Sequence, residues 1–375
     1  MTPGQWLRQI QRFDWLLMLG VFILFAFGLA AIYSVELSRE SSDFILVKKQ
    51  LVAFLIGIVF LVAISYSNYL QLRNYARIIY VIGVLLLVAV LIFGTELRGT
   101  TGWFIVAGIS FQPVEFMKIA LVIELARYFG EHARRRFGWR EIISSGMLVA
   151  VPFCLTALQP DLGSAMLLLG MWVVVMFFAG LRASHASVIA VTSAVIAVIG
   201  WFFVLKDYQK ERIHVFLNPA LDPLVSGYNI AQAKIAIGSG QLFGRGLGFG
   251  SQSQLKFLPE SETDFVFAVI AEELGFFGVA VVLAAFALIF WRFLYIARNA
   301  RDNFTSFLII AIFGALFVQM AVNIGVNLAI LPTTGIALPF MSYGGSSLLS
   351  SFVLIGIAQS IAVRMRPGER QRSMV

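Results

Sequence analysis

Apolar runs of about 20 residues, the length an α-helix needs to cross the hydrocarbon core of a bilayer, recur along this chain and constrain its fold most. Composition agrees, because 59% of the 375 residues are hydrophobic and 13% are charged, whereas soluble domains carry about 25% charged residues. Since helices satisfy their own backbone hydrogen bonds in lipid, the sequence predicts an all-α polytopic membrane protein.

Ten of these runs are predicted to be transmembrane helices. They lie at 14–34, 50–66, 75–94, 112–130, 142–158, 163–180, 186–205, 265–291, 304–330 and 343–363. An even number places both termini on one side, and arginines identify that side. They are Arg8, Arg12, Arg73, Arg77, Arg134, Arg135, Arg136, Arg140, Arg182, Arg298, Arg301, Arg364, Arg366, Arg370 and Arg372. By the positive-inside rule these segments are cytoplasmic, so the net charge of +8 indicates topology rather than nucleic-acid binding.

The opposite, extracytoplasmic side carries one long connection, 206–263, between the seventh and eighth predicted helices. Such a loop in a compact chain is usually functional or disordered, and the apolar positions near residues 230–237 predict a short amphipathic helix within it. No soluble domain is evident on either side, so residues 1–375 are predicted to form a single integral membrane domain. The stretch 228–275 is where we expect any chemistry.

Two charged residues stand at the outer start of the fourth predicted helix. Glu115 and Lys118 are three residues apart, so they share one helical face. One interpretation is an ion pair that neutralises both charges in the membrane. The other is a polar cavity in which Lys118 binds a phosphate and Glu115 orients it. The sequence favours neither.

Two aspartates precede other predicted helices. Asp161 is placed to cap the helix that follows it, although it is also a candidate for substrate binding. Asp264 stands at the outer mouth of the eighth predicted helix, and Ser261-x-x-Asp264 has the spacing of a capping box. The functional alternative for Asp264 is a general base or a metal ligand at the membrane–water interface. Deeper in that helix, Glu272 and Glu273 cannot both face lipid, so at least one is expected to be paired or to face a cavity.

Two arginines of the long loop are candidates for binding an anion. Arg212 lies in a basic, aromatic-flanked segment that either contacts lipid headgroups or binds a pyrophosphate. Arg245 lies among the glycines of 238–250, which either make tight turns or allow close backbone approach to a ligand. The three histidines are scattered and there is one cysteine, so a zinc or haem site is not expected. Two functions remain possible for the chain. One is acid–base or metal-assisted chemistry on an anionic, lipid-linked substrate, and the other is transport of that substrate.

Several motifs together resemble the SEDS family (shape, elongation, division, sporulation) over essentially the whole chain. They are FQPVEFMKIA (111–120), QPDLGSA (159–165), DYQKERIHVFLNP (207–219), DPLVSGYNIAQAKIAIGSG (222–240), GSQSQLKFLPESETDFVFAVIAEELG (250–275) and LPFMSYGGSS (338–347). The resemblance implies a peptidoglycan glycosyltransferase that polymerises lipid II at the outer face of the bacterial inner membrane. It also implies a class B penicillin-binding protein as transpeptidase partner within the elongation machinery, and support by a divalent cation such as Mg²⁺ or Mn²⁺.

The resemblance also assigns residues. The essential aspartate of the family's TDF motif corresponds to Asp264, and the Glu and Lys of its QPxExxK motif correspond to Glu115 and Lys118. The chain departs from the family where an Arg usually precedes Trp103, because Gly102 stands there. Arg98 either takes that place or the contact is absent.

The mechanism expected from this family is attack by the 4-hydroxyl of lipid II on the undecaprenyl-pyrophosphate-linked end of a growing glycan, with inversion. Asp264 is then the general base, and Lys118, Arg212 and Arg245 stabilise the leaving pyrophosphate. Two alternatives are a lipid II flippase and a noncatalytic scaffold for the penicillin-binding protein.

Overall fold

A computed structural model describes residues 12–38, 43–97, 99–106, 109–132, 138–203, 207–218 and 226–365. Arg98, the arginines of 133–137 and both ends of the chain lie outside this described part. Numbered in chain order, the helices are α1 Trp15–Leu37, α2 Ile45–Tyr66, α3 Leu70–Phe93, α4 Pro113–His132, α5 Trp139–Leu158, α6 Leu162–Phe178, α7 Ala183–Phe203, α8 Asp207–Leu217, α9 Ser226–Ser239, α10 Ser251–Gln254, α11 Val266–Arg298, α12 Asn303–Asn327 and α13 Gly345–Arg364.

A helix occupies each of the ten positions predicted to span the membrane, and α8, α9 and α10 lie within the predicted long loop. Within the described part, seven helices are long and apolar enough to cross a bilayer. They are α1, α2, α3, α5, α11, α12 and α13. The chain is therefore a multi-pass membrane protein. Ten crossings stay a prediction, since α4 is rich in charged residues and both α6 and the apolar stretch Ala183–Val195 of α7 have fewer than 18 residues.

The connection between α3 and α4 forms a small sheet, which the all-α prediction missed. Strands β1 Thr95–Leu97, β2 Thr100–Val106 and β3 Ile109–Phe111 pair antiparallel in that order. The run of threonines, aromatic and β-branched residues in β2 favours a strand once it leaves the membrane. Gly99 makes the turn between β1 and β2 at a φ of +78°, where a side chain would be strained.

An ion pair holds one end of the helix bundle, and the packing of α12 positions the helices at the other. At one end, Arg292 of α11 binds the buried Asp14 before α1 through two nitrogens, with Nη2–Oδ2 at 2.6 Å. Asp14 also caps α1 by accepting from the N–H of Leu17. In the middle, α12 packs against α4, α6 and α11. These helices bring the starts of α4, α6 and α11 to the opposite end.

Helix α11 is broken at Gly275, whose φ of 64° and ψ of −160° are not helical. The glycine-rich loop between α9 and α10 packs against this break through its main chain. The N–H groups of Arg245 and Gly246 donate to the carbonyls of Glu272 and Glu273 at 3.0 and 2.9 Å. The glycines therefore serve close backbone packing, which supplies partners for carbonyls that the break leaves without helical ones.

Replacing Gly240 with alanine is expected to destabilise the protein by about 1–3 kcal/mol, because the added Cβ would lie 1.8 Å from the carbonyl oxygen of Ala271. Gly238 provides the matched control, since a Cβ there meets no atom within 4 Å. Gly238→Ala is expected to be neutral or slightly stabilising. Thermal unfolding in detergent compares the two variants, and equal midpoints would contradict the packing described for this loop.

The carboxylates of Glu272 and Glu273 are both buried and both accept hydrogen bonds, whereas the sequence predicted this of at least one. Glu272 accepts from the backbone N–H groups of Gln252 and Ser253 at the start of α10, at 2.8 and 3.2 Å. Glu273 accepts from the hydroxyls of Ser253 and Ser34. The pair thus fastens α10 and the end of α1 to α11.

Candidate active site

A cavity of about 380 Å³ lies where α4, α6, α11 and α13 begin, beside the small sheet. Its described lining contains no Lys or Arg but four carboxylates, those of Glu115, Asp161, Glu260 and Asp264. The amino ends of helices carry partial positive charge, so four of them around one cavity partly offset these acids. The cavity is polar, and it combines acidic side chains with main-chain groups that suit an anion.

The side chain of Asp264 lines this cavity just before α11. The predicted capping box is wrong, because the N-cap residue is Phe265 and its side chain makes no capping hydrogen bond. Instead the side-chain oxygen of Asn327, on α12, accepts from the N–H of Ala268 at 3.0 Å. A neighbouring helix thus performs the capping, and Asp264 lines the cavity.

Two asparagines hold the main chain at Asp264. The side-chain amides of Asn323 and Asn327 both donate to the Asp264 carbonyl, at 3.0 and 2.9 Å. The Ser342 hydroxyl donates to the carbonyl of Thr263, one residue earlier. Sequence reasoning missed Asn323 and Asn327, although amides four residues apart in an apolar helix are an available signal. Asn323 and Asn327 therefore position Asp264 through its main chain.

Replacing Asn327 with alanine is expected to lower stability by about 1–3 kcal/mol, because the carbonyl of Asp264 and the N–H of Ala268 each lose a buried partner. Asn303→Ala is the control, since Asn303 is exposed at the other end of the same helix. Thermal unfolding in detergent measures both. If both variants unfold at the wild-type temperature, the hydrogen bonds of Asn327 do not contribute to stability.

Glu115 and Lys118 form the ion pair that was one of the two interpretations. Lys118 Nζ lies 2.6 Å from Glu115 Oε2 and donates to Gln319 on α12 at 3.1 Å, and only 2% of its side chain is exposed. Glu115 also accepts from the hydroxyl of Ser350 on α13. Of the pair, only Glu115 lines the cavity. Lys118 therefore lies behind Glu115 and joins α4 to α12.

Asp161 is the N-cap of α6, as predicted. It accepts from the N–H and the hydroxyl of Ser164 at 2.9 and 2.7 Å, and from the side chain of Gln112 at 3.3 Å. It also lines the cavity, so capping and substrate contact are compatible at this residue.

Of the two loop arginines, the structure describes the side chain of Arg245 alone. Arg245 is exposed in the loop at the break in α11, and it does not line the cavity. Arg212 belongs to α8, but its side chain lies outside the described part, as does Arg98. A Cβ at Gly102 would lie 3.4 Å from the side-chain oxygen of Gln159, and Trp103 beside it lines the cavity. A cationic side chain next to Trp103 is therefore not part of the described site.

The model of the cell-cycle protein family that includes FtsW, RodA and SpoVE matches residues 14–366. The chain belongs to this family. The peptidoglycan glycosyltransferase MrdB of Escherichia coli K12 is 38% identical over 86% of this chain and 87% of its own length. The stage V sporulation protein E of Bacillus subtilis is 36% identical over 93% of this chain and 96% of its own.

Solved structures of this family have the same fold. A chain from a peptidoglycan synthase complex superposes with a TM-score of 0.77 at 30% identity, covering 97% of this chain and 99% of its own. The rod shape determining protein RodA of Thermus thermophilus has a TM-score of 0.69 at 29% identity, covering 94% and 97%. The segments 233–240 and 250–260 resemble the RodA branch of the SEDS family more than the FtsW branch.

Divalent ions are a further expectation from the SEDS family, and the cavity residues fit one in a limited way. Carboxylate oxygens are the ligands that Mg²⁺ and Mn²⁺ prefer. Over the described residues, however, no three His, Cys, Asp or Glu side chains are grouped closely enough to hold an ion alone. The donor set suits an ion shared between one or two cavity carboxylates and the phosphates of a substrate.

Proposed function

We propose that this protein is a peptidoglycan glycosyltransferase that polymerises lipid II into glycan strands at the outer face of the bacterial cytoplasmic membrane during cell elongation. The observation that carries the proposal is the placement of Asp264, in a cavity with three other carboxylates, on a main chain held by Asn323 and Asn327. Family membership supports the activity, since MrdB carries the name peptidoglycan glycosyltransferase.

The proposed topology places the cavity outside and both termini in the cytoplasm. Helix α4 starts at the cavity and ends at His132, immediately before the arginines of 133–137. Helix α3 runs the other way, from the side of Arg73 to the small sheet. Positive charge therefore collects at the end of the bundle opposite Asp264, which the positive-inside rule makes cytoplasmic.

In the proposed reaction, Asp264 accepts the proton of the 4-hydroxyl of lipid II's N-acetylglucosamine. The oxygen forms a bond to the anomeric carbon of the glycan donor, the bond from that carbon to the pyrophosphate breaks, and the configuration inverts. Undecaprenyl pyrophosphate is the leaving group. A positioned general base of this kind contributes about 10²–10⁴-fold to rate.

The leaving pyrophosphate must be stabilised mainly by groups other than Lys118 and Arg245, because neither lines the cavity. The start of α13 is the best placed, since its N-cap residue Gly344 has no side-chain cap and Ser346 and Ser347 line the cavity. Backbone N–H groups at such a helix start bind phosphate. A Mg²⁺ or Mn²⁺ ion held by Asp264 or a neighbouring carboxylate would supply further charge neutralisation when bound.

A class B penicillin-binding protein is the proposed partner, and it supplies the transpeptidase that crosslinks the strands. Support comes from the match to a chain in a peptidoglycan synthase complex that coordinates polymerization and crosslinking. The remaining elongation machinery is proposed on the same family grounds.

The proposal is tested with the purified chain, its penicillin-binding partner and labelled lipid II. Glycan strands resolved by gel electrophoresis are the expected product, and their formation should depend on Asp264. A parallel assay in vesicles measures the exposure of lipid II on the far leaflet. Flipping of lipid II without polymerisation would show that the protein is a transporter. Binding of the partner with neither activity would show that it is a noncatalytic scaffold.

A further inference from the structure

A second, open cavity lies at the end of the bundle opposite Asp264. Its volume is about 500 Å³, and it is lined by Arg73, Asn74 and Arg77 of α3 and by Arg127 and Glu131 of α4. Three of the five lining residues are arginines and one is acidic. The cavity is separate from the candidate active site, and nothing in the proposed glycosyl transfer uses it.

The arginines of this cavity differ in their partners. Arg127 is neutralised within α4, because it binds the buried Glu124 through Nη2 and Nε and binds Glu131 at 3.1 Å. Arg73 and Arg77 are exposed, and within the described part of the chain neither has an ion pair or a hydrogen bond. Two cations therefore remain to attract an anion into the cavity.

The surface of α3 continues from these arginines as an apolar stripe. Residues four apart lie on one side of a helix, and Arg73, Arg77, Val81 and Leu85 have this spacing. Val81 and Leu85 are 52% and 60% exposed, and no described helix covers them. Positive charge at the membrane edge followed by an open apolar surface matches the phosphate and acyl chain of a phospholipid.

We propose that this cavity binds the headgroup phosphate of an anionic phospholipid of the cytoplasmic leaflet, with an acyl chain along α3. The positive-inside rule accounts for arginines at the cytoplasmic end of the bundle, but it does not require that they line a cavity. Arg298, for example, is exposed at the same end of the bundle but lines neither cavity, unlike Arg73 and Arg77. Basic pockets between transmembrane helices on this side are suited to anionic headgroups.

The test is native mass spectrometry of the full-length chain in detergent, titrated with phosphatidylglycerol or with phosphatidylcholine of the same acyl chains. We expect the anionic lipid to bind about 30-fold more tightly, since each arginine near the surface contributes several-fold. Arg73→Gln with Arg77→Gln should remove this preference. The double lysine variant should keep most of it, and Arg298→Gln should match wild type.

Three results would overturn the proposal. They are equal binding of the two lipids by wild type, an unchanged preference in the double glutamine variant, and full displacement of the lipid by millimolar inorganic phosphate. The last would make the cavity a simple anion site. Should the double variant unfold, the two single variants give the same test, each with a loss of about 5-fold. Polymerisation of lipid II is not part of this measurement, so the two proposals fail independently.

Discussion

Replacing Asp264 with asparagine is expected to lower the rate of lipid II polymerisation by about 10²–10⁴-fold. Asparagine keeps the shape of the side chain but cannot accept the proton of the attacking hydroxyl. The main chain should stay in place, because Asn323 and Asn327 bind the carbonyl of residue 264 and not its side chain. The initial rate of strand formation, measured with the purified complex, checks this.

Glu96→Gln is the matched control for Asp264. Glu96 is an exposed carboxylate on β1, at the same end of the molecule, and it does not line the cavity. This variant should polymerise at the wild-type rate, and both variants should still bind the partner. Polymerisation by Asp264→Asn within a few-fold of wild type would refute the assignment. Recovery of its activity at raised Mn²⁺ concentration would make Asp264 a metal ligand, whereas a general base predicts no recovery.

Replacing Lys118 with methionine is expected to lower the free energy of unfolding by about 3–5 kcal/mol, because it leaves the carboxylate of Glu115 without its cation. The double variant with Glu115→Gln should regain most of this stability, since it leaves no unpaired charge. Thermal unfolding of wild type, both single variants and the double variant forms a double-mutant cycle. Additive losses would mean that the 2.6 Å contact carries no coupling energy.

The same double variant separates structure from function at this pair. Glu115 lines the cavity while Lys118 lies behind it, so we expect polymerisation to stay low even where stability returns. Recovery of both would show that the pair only neutralises charge within the membrane. Strand formation and thermal unfolding on the same preparations decide between these outcomes.

Much of the fold follows from the sequence, because long apolar runs admit few structures in a bilayer. Helices stand at all ten predicted positions, and the short helix predicted near residues 230–237 is part of α9. The sheet at 95–111 was missed because two of its three strands have only three residues and all lie in a connection between two helices. The composition of β2 favours a strand, but seven residues between two predicted helices were too short a segment to predict a sheet.

The site was predictable in part. Motifs identified Asp264, Asp161 and Glu115, and the structure brings these three to one cavity. The capping box at Asp264 failed because the cap comes from Asn327, 63 residues after Asp264, which no local pattern reveals. Arg245 was predicted to bind the pyrophosphate because it lies in a glycine-rich loop, but that loop packs on the break in α11.

That break has a consequence for how the family can diversify. The loop at residues 240–250 is joined to α11 by main-chain hydrogen bonds and by the stacking of Phe243 on Phe277, while Arg245 and Phe249 are exposed. The side chains of Arg245 and Phe249 therefore contribute little to holding the helix that follows Asp264. Substitutions at these two positions are therefore expected to change what this surface displays without moving Asp264.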